Sequence, residues 1–148
     1  MYGGSYGAYS AMMGLVREPE LYRCGVGYVG IYDLELWQRD SLAASTAEGR
    51  VYQRAVVGKD ADQLHAISPA WRAAEIRAPV LLVHAGSDWG APTTQFERMR
   101  DALTKAGKPV QTVFKRNEDH GFISEANRAE FFRKLVDFMD ASIEAKGE

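Results

Sequence analysis

The sequence has few of the residues that build metal centres and disulfide frameworks. Cys24 is the only cysteine, and only three histidines occur in 148 residues. No internal disulfide can therefore form, and no Cys/His cluster has the spacing of a zinc site. Cys24 lies in the apolar segment YRCGVGYVG, which predicts a buried, unreactive thiol rather than a redox centre.

The chain also lacks a strong charge imbalance and a long hydrophobic run. Its formal net charge is −2, so we expect neither a nucleic-acid-binding face nor a disordered acidic tail. No segment approaches the roughly 18 apolar residues that cross a bilayer. The sequence does not begin with the basic segment and apolar run of a signal peptide. This favours a cytoplasmic location unless a leader precedes Met1.

The sequence instead contains alternating helix and strand patterns. The segment APVLLVHAG is the clearest strand, because its continuous apolar run is typical of a strand buried on both faces of a parallel sheet. The order predicts an α/β fold whose parallel sheet is covered by helices on both faces. In chain order we predict a helix over 6–16, a strand over 24–29, two helical pieces within 33–57, a strand at 80–83, a helix opened by Pro92, a strand over 109–114 and a last helix over 124–143.

A candidate nucleophile lies at the very start of the chain. Gly3-Gly4-Ser5-Tyr6-Gly7 reads G-x-S-x-G, the sharp strand-to-helix turn that presents a serine hydroxyl. We expect Gly3 and Gly7 to occupy places where a side chain would collide with the strand or the helix. The Tyr6 amide is the expected oxyanion donor, because the first amides of a helix lack intrahelical acceptors. The motif is short, and the helix pattern that follows it supports this interpretation.

Two further residues are candidates for the acid and the base. His120 lies in the polar loop NEDHGF, where it is either a general base or a solvent-exposed loop histidine. Asp88 lies in HAGSDWGAP, where it either orients that histidine or forms a turn. The order Ser5, Asp88, His120 is that of α/β-hydrolases, and each follows a predicted strand, so a parallel sheet would bring all three to one edge. His84 is expected to be a hydrogen-bonded structural histidine, and His65 to lie at the surface or in local packing.

A long part of the sequence resembles the prolyl oligopeptidase family of serine peptidases, in its acylaminoacyl-peptidase and dipeptidyl-aminopeptidase-like branch. The segments that carry the resemblance are YGGSYGAYSAMMGLVREPELYRCGVGYVGIYDLEL, AISPAWRAAEIRAPVLLVHAGSD, MRDALTKAGKPVQTVFKRNEDHGF and NRAEFFRKLVDFMD. The resemblance implies an α/β-hydrolase domain that cuts peptides without a metal or cofactor. It places the nucleophile, acid and base on Ser5, Asp88 and His120.

The resemblance also suggests a substrate pocket and shows departures from the family pattern. By position, Ile31, Leu34 and Trp37 are expected to line the pocket for the residue before the scissile bond. Ala85 stands where the family usually has glycine, Trp89-Gly90-Ala91-Pro92 replaces a Val-Pro loop, and Asp119 replaces the glycine before the histidine. These departures affect loop geometry and substrate preference rather than the catalytic groups.

The resemblance further implies that residues 1–148 are the C-terminal part of a catalytic domain. Family members carry a β-propeller and the first half of the hydrolase sheet before the nucleophile. We therefore expect the second oxyanion donor and the strand that leads into Ser5 to be missing here, and the open sheet edge to favour self-association. Three hypotheses follow: a serine peptidase acting on short peptides, an esterase or lipase of the same fold, and an inert fragment that associates through its edge.

Overall fold

The computed structural model describes residues 1–144 and contains one four-stranded parallel sheet. The strands are β1 (Tyr2–Gly4), β2 (Gly25–Tyr28), β3 (Val80–Ala85) and β4 (Val110–Lys115), and they lie side by side in chain order. The predicted α/β alternation and parallel sheet are confirmed. The helices are α1 (Tyr6–Arg17), α2 (Leu34–Asp40), α3 (Ala47–Val57), α4 (Ala61–Ala66), α5 (Thr93–Lys105) and α6 (Glu125–Glu144), with 3-10 turns at Leu42–Ser45 and Ala73–Glu75.

Strand β1 corrects the expectation that no strand leads into Ser5. Tyr2, Gly3 and Gly4 pair in parallel with residues 26–28 of β2. Three residues are too few for the alternation of apolar and polar side chains that identifies a strand in a sequence, and two of these three are glycines. Pairing with β2 rather than local preference therefore fixes β1.

Strand β3 lies between two apolar cores, and all six of its residues are buried. Its successive side chains point to opposite faces of the sheet. On one face, Val80 and Leu82 pack in a cluster with residues of α1 and α5. On the other face, Leu81 and Val83 pack with Phe131 and Phe138 of α6. The helices thus cover both faces, as the apolar run in this strand predicts.

The free edge of β1 and one side of α6 expose apolar side chains. Tyr2 is about half exposed, and its ring lies 6.4 Å from that of the buried Phe131. On α6, Phe132, Val136 and Ile143 recur at helical spacing and all are more than half exposed. We call these residues, Tyr2, Phe132, Val136 and Ile143, the edge surface.

Two further predictions concern burial. Cys24 is buried beside β2 and has a free thiol, as its apolar context predicts. Within residues 1–144, none of the helices combines the length and the apolar character needed to cross a bilayer.

Candidate active site

The turn between β1 and α1 holds Ser5 in a backbone conformation that is rare for residues other than glycine. Its φ is 55° and its ψ is −121°, and such outliers persist only where the surrounding structure enforces them. The Ser5 amide donates a hydrogen bond to the carbonyl oxygen of Tyr28, at 2.9 Å. The neighbouring strand β2 therefore holds the base of the turn.

The two glycines of the motif differ in what they permit. A Cβ atom at Gly3 would lie 2.0 Å from the Gly7 carbonyl oxygen, so no side chain fits there. A Cβ atom at Gly7 would meet nothing within 4 Å. The expectation of a collision at Gly7 is therefore wrong for this chain, because that position faces open space, whereas Gly3 lies between β1 and the first turn of α1.

Tyr6 is the first residue of α1, directly after Ser5. The first amides of an α-helix have no acceptor within the helix, and the helix dipole adds partial positive charge at this end. The Tyr6 amide is therefore next to the hydroxyl and free of intrahelical bonding, as an oxyanion donor requires.

Asp88 lies in the loop after β3, and its side chain is completely buried. Its Oδ1 atom accepts hydrogen bonds from the amides of Gly90 at 2.9 Å and Ala91 at 2.8 Å. The same loop departs from the family pattern in sequence. The structure shows that its backbone nevertheless holds the carboxylate in a fixed orientation.

His120 connects Asp88 to Ser5. Its Nδ1 atom lies 2.9 and 2.8 Å from the two carboxylate oxygens of Asp88, and its Nε2 atom lies 2.9 Å from the Ser5 hydroxyl oxygen. A carboxylate accepts only, so the neutral imidazole carries its proton on Nδ1 and presents the Nε2 lone pair to the hydroxyl. The structure thus brings together the three side chains that the sequence singles out.

The loop that carries His120 is held by Glu118, a buried carboxylate. Glu118 accepts hydrogen bonds from the amides of Ile123 and Ser124 and from the side chain of Asn127. The Asn127 hydrogen bond is the largest cause that holds the pKa of Glu118 below its ordinary value. Asp119, the other acid in this loop, accepts a hydrogen bond from the backbone amide of His120 at 2.7 Å, whereas the ring nitrogens of His120 bond to Asp88 and Ser5.

A cleft of about 500 Å³ opens beside Ser5 and His120. Its apolar wall consists of Ile31, Trp37 and two side chains from α3, Tyr52 and Val56. Tyr52 and Val56 are four positions apart on one helix, a spacing that indicates a shared face, but nothing in the sequence ties that face to Ser5. They are the functional candidates that sequence reasoning missed.

Leu34 does not line this cleft, contrary to the sequence-based expectation. It is completely buried and packs with Leu64 and Ala91 beneath the cleft wall. As the first residue of α2 it turns inward, whereas Trp37, three positions later, reaches the cleft. The pattern of apolar residues alone does not distinguish these two orientations.

The helix that carries Trp37 is fixed by Asp33. The Asp33 carboxylate accepts hydrogen bonds from the amides of Glu35 and Leu36, both at 3.1 Å, and so caps α2. Its other oxygen accepts from Trp71 Nε1 at 2.8 Å and from Arg98 at 3.2 Å. The buried Asp33 carboxylate therefore fixes the start of the helix that places Trp37 in the cleft wall.

The other two histidines have no contact with Ser5. His84 is buried, its Nε2 atom lies 3.0 Å from the Ala91 carbonyl oxygen, and burial lowers its pKa. His65 stacks on Trp71 with ring centroids 3.7 Å apart and lies 2.7 Å from a Glu35 oxygen. A larger cavity, of about 630 Å³, lies at the opposite end of the sheet between residues 19–23 and 77–79, away from Ser5 and His120.

The parallel sheet, the elbow at Ser5 and the helices on both faces define a part of an α/β-hydrolase fold. The chain belongs to the prolyl oligopeptidase family, which it matches over residues 1–146. The acylaminoacyl peptidase of Pyrococcus horikoshii superposes with a TM-score of 0.86 at 23% identity, over 100% of this chain and 24% of that one.

Two relatives of similar sequence carry names of dipeptidyl peptidases. The dipeptidyl aminopeptidase BIII of Pseudoxanthomonas mexicana is 28% identical over 150 residues, which cover 99% of this chain and 22% of that protein. Dipeptidyl peptidase family member 6 of Caenorhabditis elegans is 25% identical over 153 residues, covering 93% and 19%. The chain thus spans about a fifth of the length of these relatives.

Proposed function

We propose that this chain carries the nucleophile, base and acid of a serine peptidase, on Ser5, His120 and Asp88. The observation that carries the proposal is the continuous hydrogen-bonded path from the buried Asp88 carboxylate through both nitrogens of His120 to the Ser5 hydroxyl. A serine hydroxyl becomes a competent nucleophile only beside such a base. Family membership favours a peptide bond as the substrate.

In the proposed reaction, the Ser5 oxygen attacks the carbonyl carbon of the scissile bond while His120 Nε2 takes the hydroxyl proton. Asp88 accepts the Nδ1 proton in a hydrogen bond and stabilises the imidazolium that forms. The Tyr6 amide donates to the negative oxygen of the tetrahedral intermediate. His120 then protonates the leaving amine, and water, activated by the same imidazole, releases the acyl group from Ser5.

The cleft beside Ser5 suits an uncharged, apolar side chain. Ile31, Trp37, Tyr52 and Val56 provide apolar and aromatic surface, and no Lys, Arg, Asp or Glu is among its described lining residues. The transfer of an apolar side chain from water to such a surface is favourable, while a charged side chain would lose its hydration and find no partner of opposite charge. We propose that the residue before the scissile bond is apolar or aromatic.

A fluorophosphonate probe tests the proposed nucleophile in the full chain. We expect one covalent adduct, located on Ser5 by mass spectrometry, that is absent in Ser5→Ala. Ser10→Ala is the matched control, because Ser10 is an exposed serine on α1, the helix that follows Ser5, and its hydroxyl bonds only to the Tyr6 carbonyl oxygen. A soluble, folded chain that does not react would contradict the proposal for these 148 residues.

Paired substrates separate the peptidase from an esterase of the same fold. A peptide anilide and the corresponding ester share the acyl group and differ only in the leaving group. We expect a peptidase to cleave both. Cleavage of the anilide is the more demanding reaction, because His120 must protonate the leaving nitrogen. Turnover of the ester alone would favour the esterase.

We further propose that residues 1–148 are the C-terminal part of a longer catalytic domain, and that preceding strands cover the edge surface. This surface is apolar, and its Tyr2 lies on β1, whose outer edge is unpaired; such edges pair with other strands when they are left open. Sequencing upstream of the Met1 codon tests the proposal. An open frame that codes for further strands is expected, and a stop codon immediately upstream would contradict it.

In the isolated chain, the same edge is expected to pair with a second copy. Sedimentation velocity over a range of concentrations would then show a dimer, and Tyr2→Lys would weaken it because a charged side chain opposes edge pairing. Leu21→Lys is the control, since Leu21 is also a large apolar residue and is more exposed than Tyr2, but borders the cavity at the opposite end of the sheet. An unchanged dimer in Tyr2→Lys would exclude this edge as the interface.

A further inference from the structure

Tyr28, the last residue of β2, contacts both segments that carry the proposed nucleophile and base. Its carbonyl oxygen accepts the Ser5 amide at 2.9 Å. Its hydroxyl oxygen accepts the backbone amide of Phe122 at 2.6 Å, two residues beyond His120. One residue of the rigid sheet thus bonds to the turn that holds Ser5 and to the loop that holds His120.

Packing fixes the orientation of the Tyr28 ring. The ring stacks on Phe131 of α6, with centroids 4.9 Å apart and an interplanar angle of 9°. It also packs nearly perpendicular to the Phe122 ring, with centroids 5.2 Å apart and an interplanar angle of 78°. Such aromatic contacts leave a ring little freedom to move. Because Phe131 and Phe122 belong to the core beneath the loop, the hydroxyl is held at a defined position.

The protonation state of Tyr28 suits this contact. Burial raises the pKa of its phenol above the ordinary value, so the hydroxyl stays neutral across the physiological range. A neutral phenol oxygen retains lone pairs that accept the Phe122 amide. The loop therefore receives the same constraint throughout the range in which a histidine base operates.

The loop that this contact constrains must hold the His120 imidazole at hydrogen-bonding distance from the Ser5 hydroxyl. The His120 side chain is 40% exposed, in contrast to the completely buried Asp88 side chain. Glu118 belongs to this loop, and its carboxylate bonds to Ile123 in the loop and to Asn127 at the start of α6. These bonds therefore do not connect the loop to β2, the strand that bonds to Ser5. The Tyr28 hydroxyl makes that connection.

We propose that Tyr28 is a positioning residue that sets the distance between His120 Nε2 and the Ser5 hydroxyl. The proposal deepens the proposed function and rests on it for its catalytic consequence. Loss of the hydroxyl leaves the Phe122 amide without its acceptor and frees the loop to shift. A misplacement of about 1 Å in a reacting group can cost about 10²-fold in rate.

Tyr28→Phe tests this in the full chain, since it removes one oxygen and keeps the ring contacts with Phe131 and Phe122. We expect kcat for a small ester to fall by about 10- to 100-fold while KM stays nearly unchanged. Tyr32→Phe is the matched control. The Tyr32 hydroxyl is buried and has no hydrogen-bond partner among residues 1–144, so the same change there should leave kcat at its original value.

A spectroscopic measurement keeps the inference independent of catalysis. The Nδ1 proton shared between His120 and Asp88 gives a low-field proton NMR signal when it is protected from exchange. We expect this signal in the unsubstituted chain and in Tyr32→Phe, and its loss or broadening in Tyr28→Phe. Thermal unfolding of each variant checks that the fold persists.

The outcomes separate this inference from the proposed function. A chain that shows the signal but never reacts with the fluorophosphonate would contradict the peptidase, while loss of the signal in Tyr28→Phe would still support the positioning role. Retention of both the signal and the original kcat in Tyr28→Phe would overturn the inference. Absence of the signal from the unsubstituted chain would overturn it as well.

Discussion

Ser5 Oγ lies 2.9 Å from His120 Nε2, although 115 positions separate the two residues in the chain. Neither residue lies within a regular element: Ser5 lies between β1 and α1, and His120 lies between β4 and α6. Parallel pairing of the strands brings the segments after β1, β3 and β4 to one edge of the sheet. The strand order therefore explains how three distant side chains meet.

Asp88→Asn should abolish most activity while preserving the fold. An asparagine at this position offers an oxygen and an NH₂ group where the structure requires an acceptor for the Gly90 and Ala91 amides and for His120 Nδ1. The NH₂ group would favour the histidine tautomer with its proton on Nε2, which cannot accept from Ser5. By analogy with the same change in another triad, we expect kcat to fall by about 10⁴-fold.

The control for this variant is Asp119→Asn. Asp119 adjoins His120 in sequence, but its carboxylate accepts a hydrogen bond from the backbone amide, whereas the ring bonds to Asp88. Ester hydrolysis and fluorophosphonate labelling, measured for both variants, should show a large loss for Asp88→Asn and less than a threefold change, about 0.6 kcal/mol, for Asp119→Asn. Equal losses would mean that proximity to His120, rather than orientation of its ring, determines the effect.

Gly3→Ala and Gly7→Ala should differ sharply in stability. A Cβ atom at Gly3 would overlap the Gly7 carbonyl oxygen, and relief of a clash with backbone requires the elbow to distort, at a cost of about 3 kcal/mol or more. Position 7 lies inside α1 with space around it, so alanine should stabilise the helix by about 0.5–1 kcal/mol. Urea unfolding of both variants measures the difference, and similar losses would contradict the model of the turn.

The elements that the sequence predicts best are those whose signal is local. The apolar run of β3 and the helical spacing in α5 and α6 predict their class and approximate bounds. The order of Ser5, Asp88 and His120 after predicted strands predicts that they share one sheet edge. Their proximity is a property of chain order and parallel pairing, both of which the sequence contains.

Other features depend on packing that no local pattern records. Strand β1 exists because β2 pairs with it, and Leu34 is completely buried whereas Trp37 reaches the cleft, although both are apolar residues of one helix. Tyr52 lines the cleft from α3, a helix that the 3-10 turn at 42–45 separates from α2 in the chain. The bond from the Tyr28 hydroxyl to Phe122 joins positions 94 residues apart, and neither residue type predicts it.

His84 should make stability depend on pH in the weakly acidic range. Burial lowers the pKa of this imidazole below its ordinary value of 6.5, and the nearby Asp88 carboxylate offsets only part of that effect. The unfolded chain therefore binds a proton that the folded chain resists, so the free energy of unfolding falls as the pH drops from the unfolded pKa toward the lower folded one. At pH values above the unfolded pKa, the imidazole is neutral in both states, and His84 costs no stability.

Urea unfolding at about pH 7.5 and about pH 5.5 measures this dependence. His84→Gln should reduce the loss of stability between the two values, because glutamine does not titrate. His65→Gln is the comparison, since His65 is partly exposed and lies in a different contact, with Glu35 and Trp71. An identical pH dependence in His84→Gln and the unsubstituted chain would exclude His84 as its source.

Val56→Glu should change which acyl groups the cleft accepts. Val56 lines the cleft beside Ser5, while Val51, on the same helix, is exposed and outside the lining. A carboxylate at position 56 disfavours burial of an apolar side chain and offers a partner to a basic one. For substrates with an aromatic residue before the scissile bond, we expect kcat/KM to fall by about 10- to 200-fold, the range in which pocket contacts discriminate.

The same variant should gain activity on substrates with lysine or arginine at that position, and it should retain its activity on a glycine substrate, whose side chain does not enter the cleft. Val51→Glu adds the same charge to the same helix and should leave all three activities unchanged, which separates a pocket effect from a change in net charge. If Val51→Glu and Val56→Glu shift selectivity alike, long-range electrostatics determines the preference. If neither shifts it, the acyl group binds elsewhere, and the proposed role of the α3 wall is wrong.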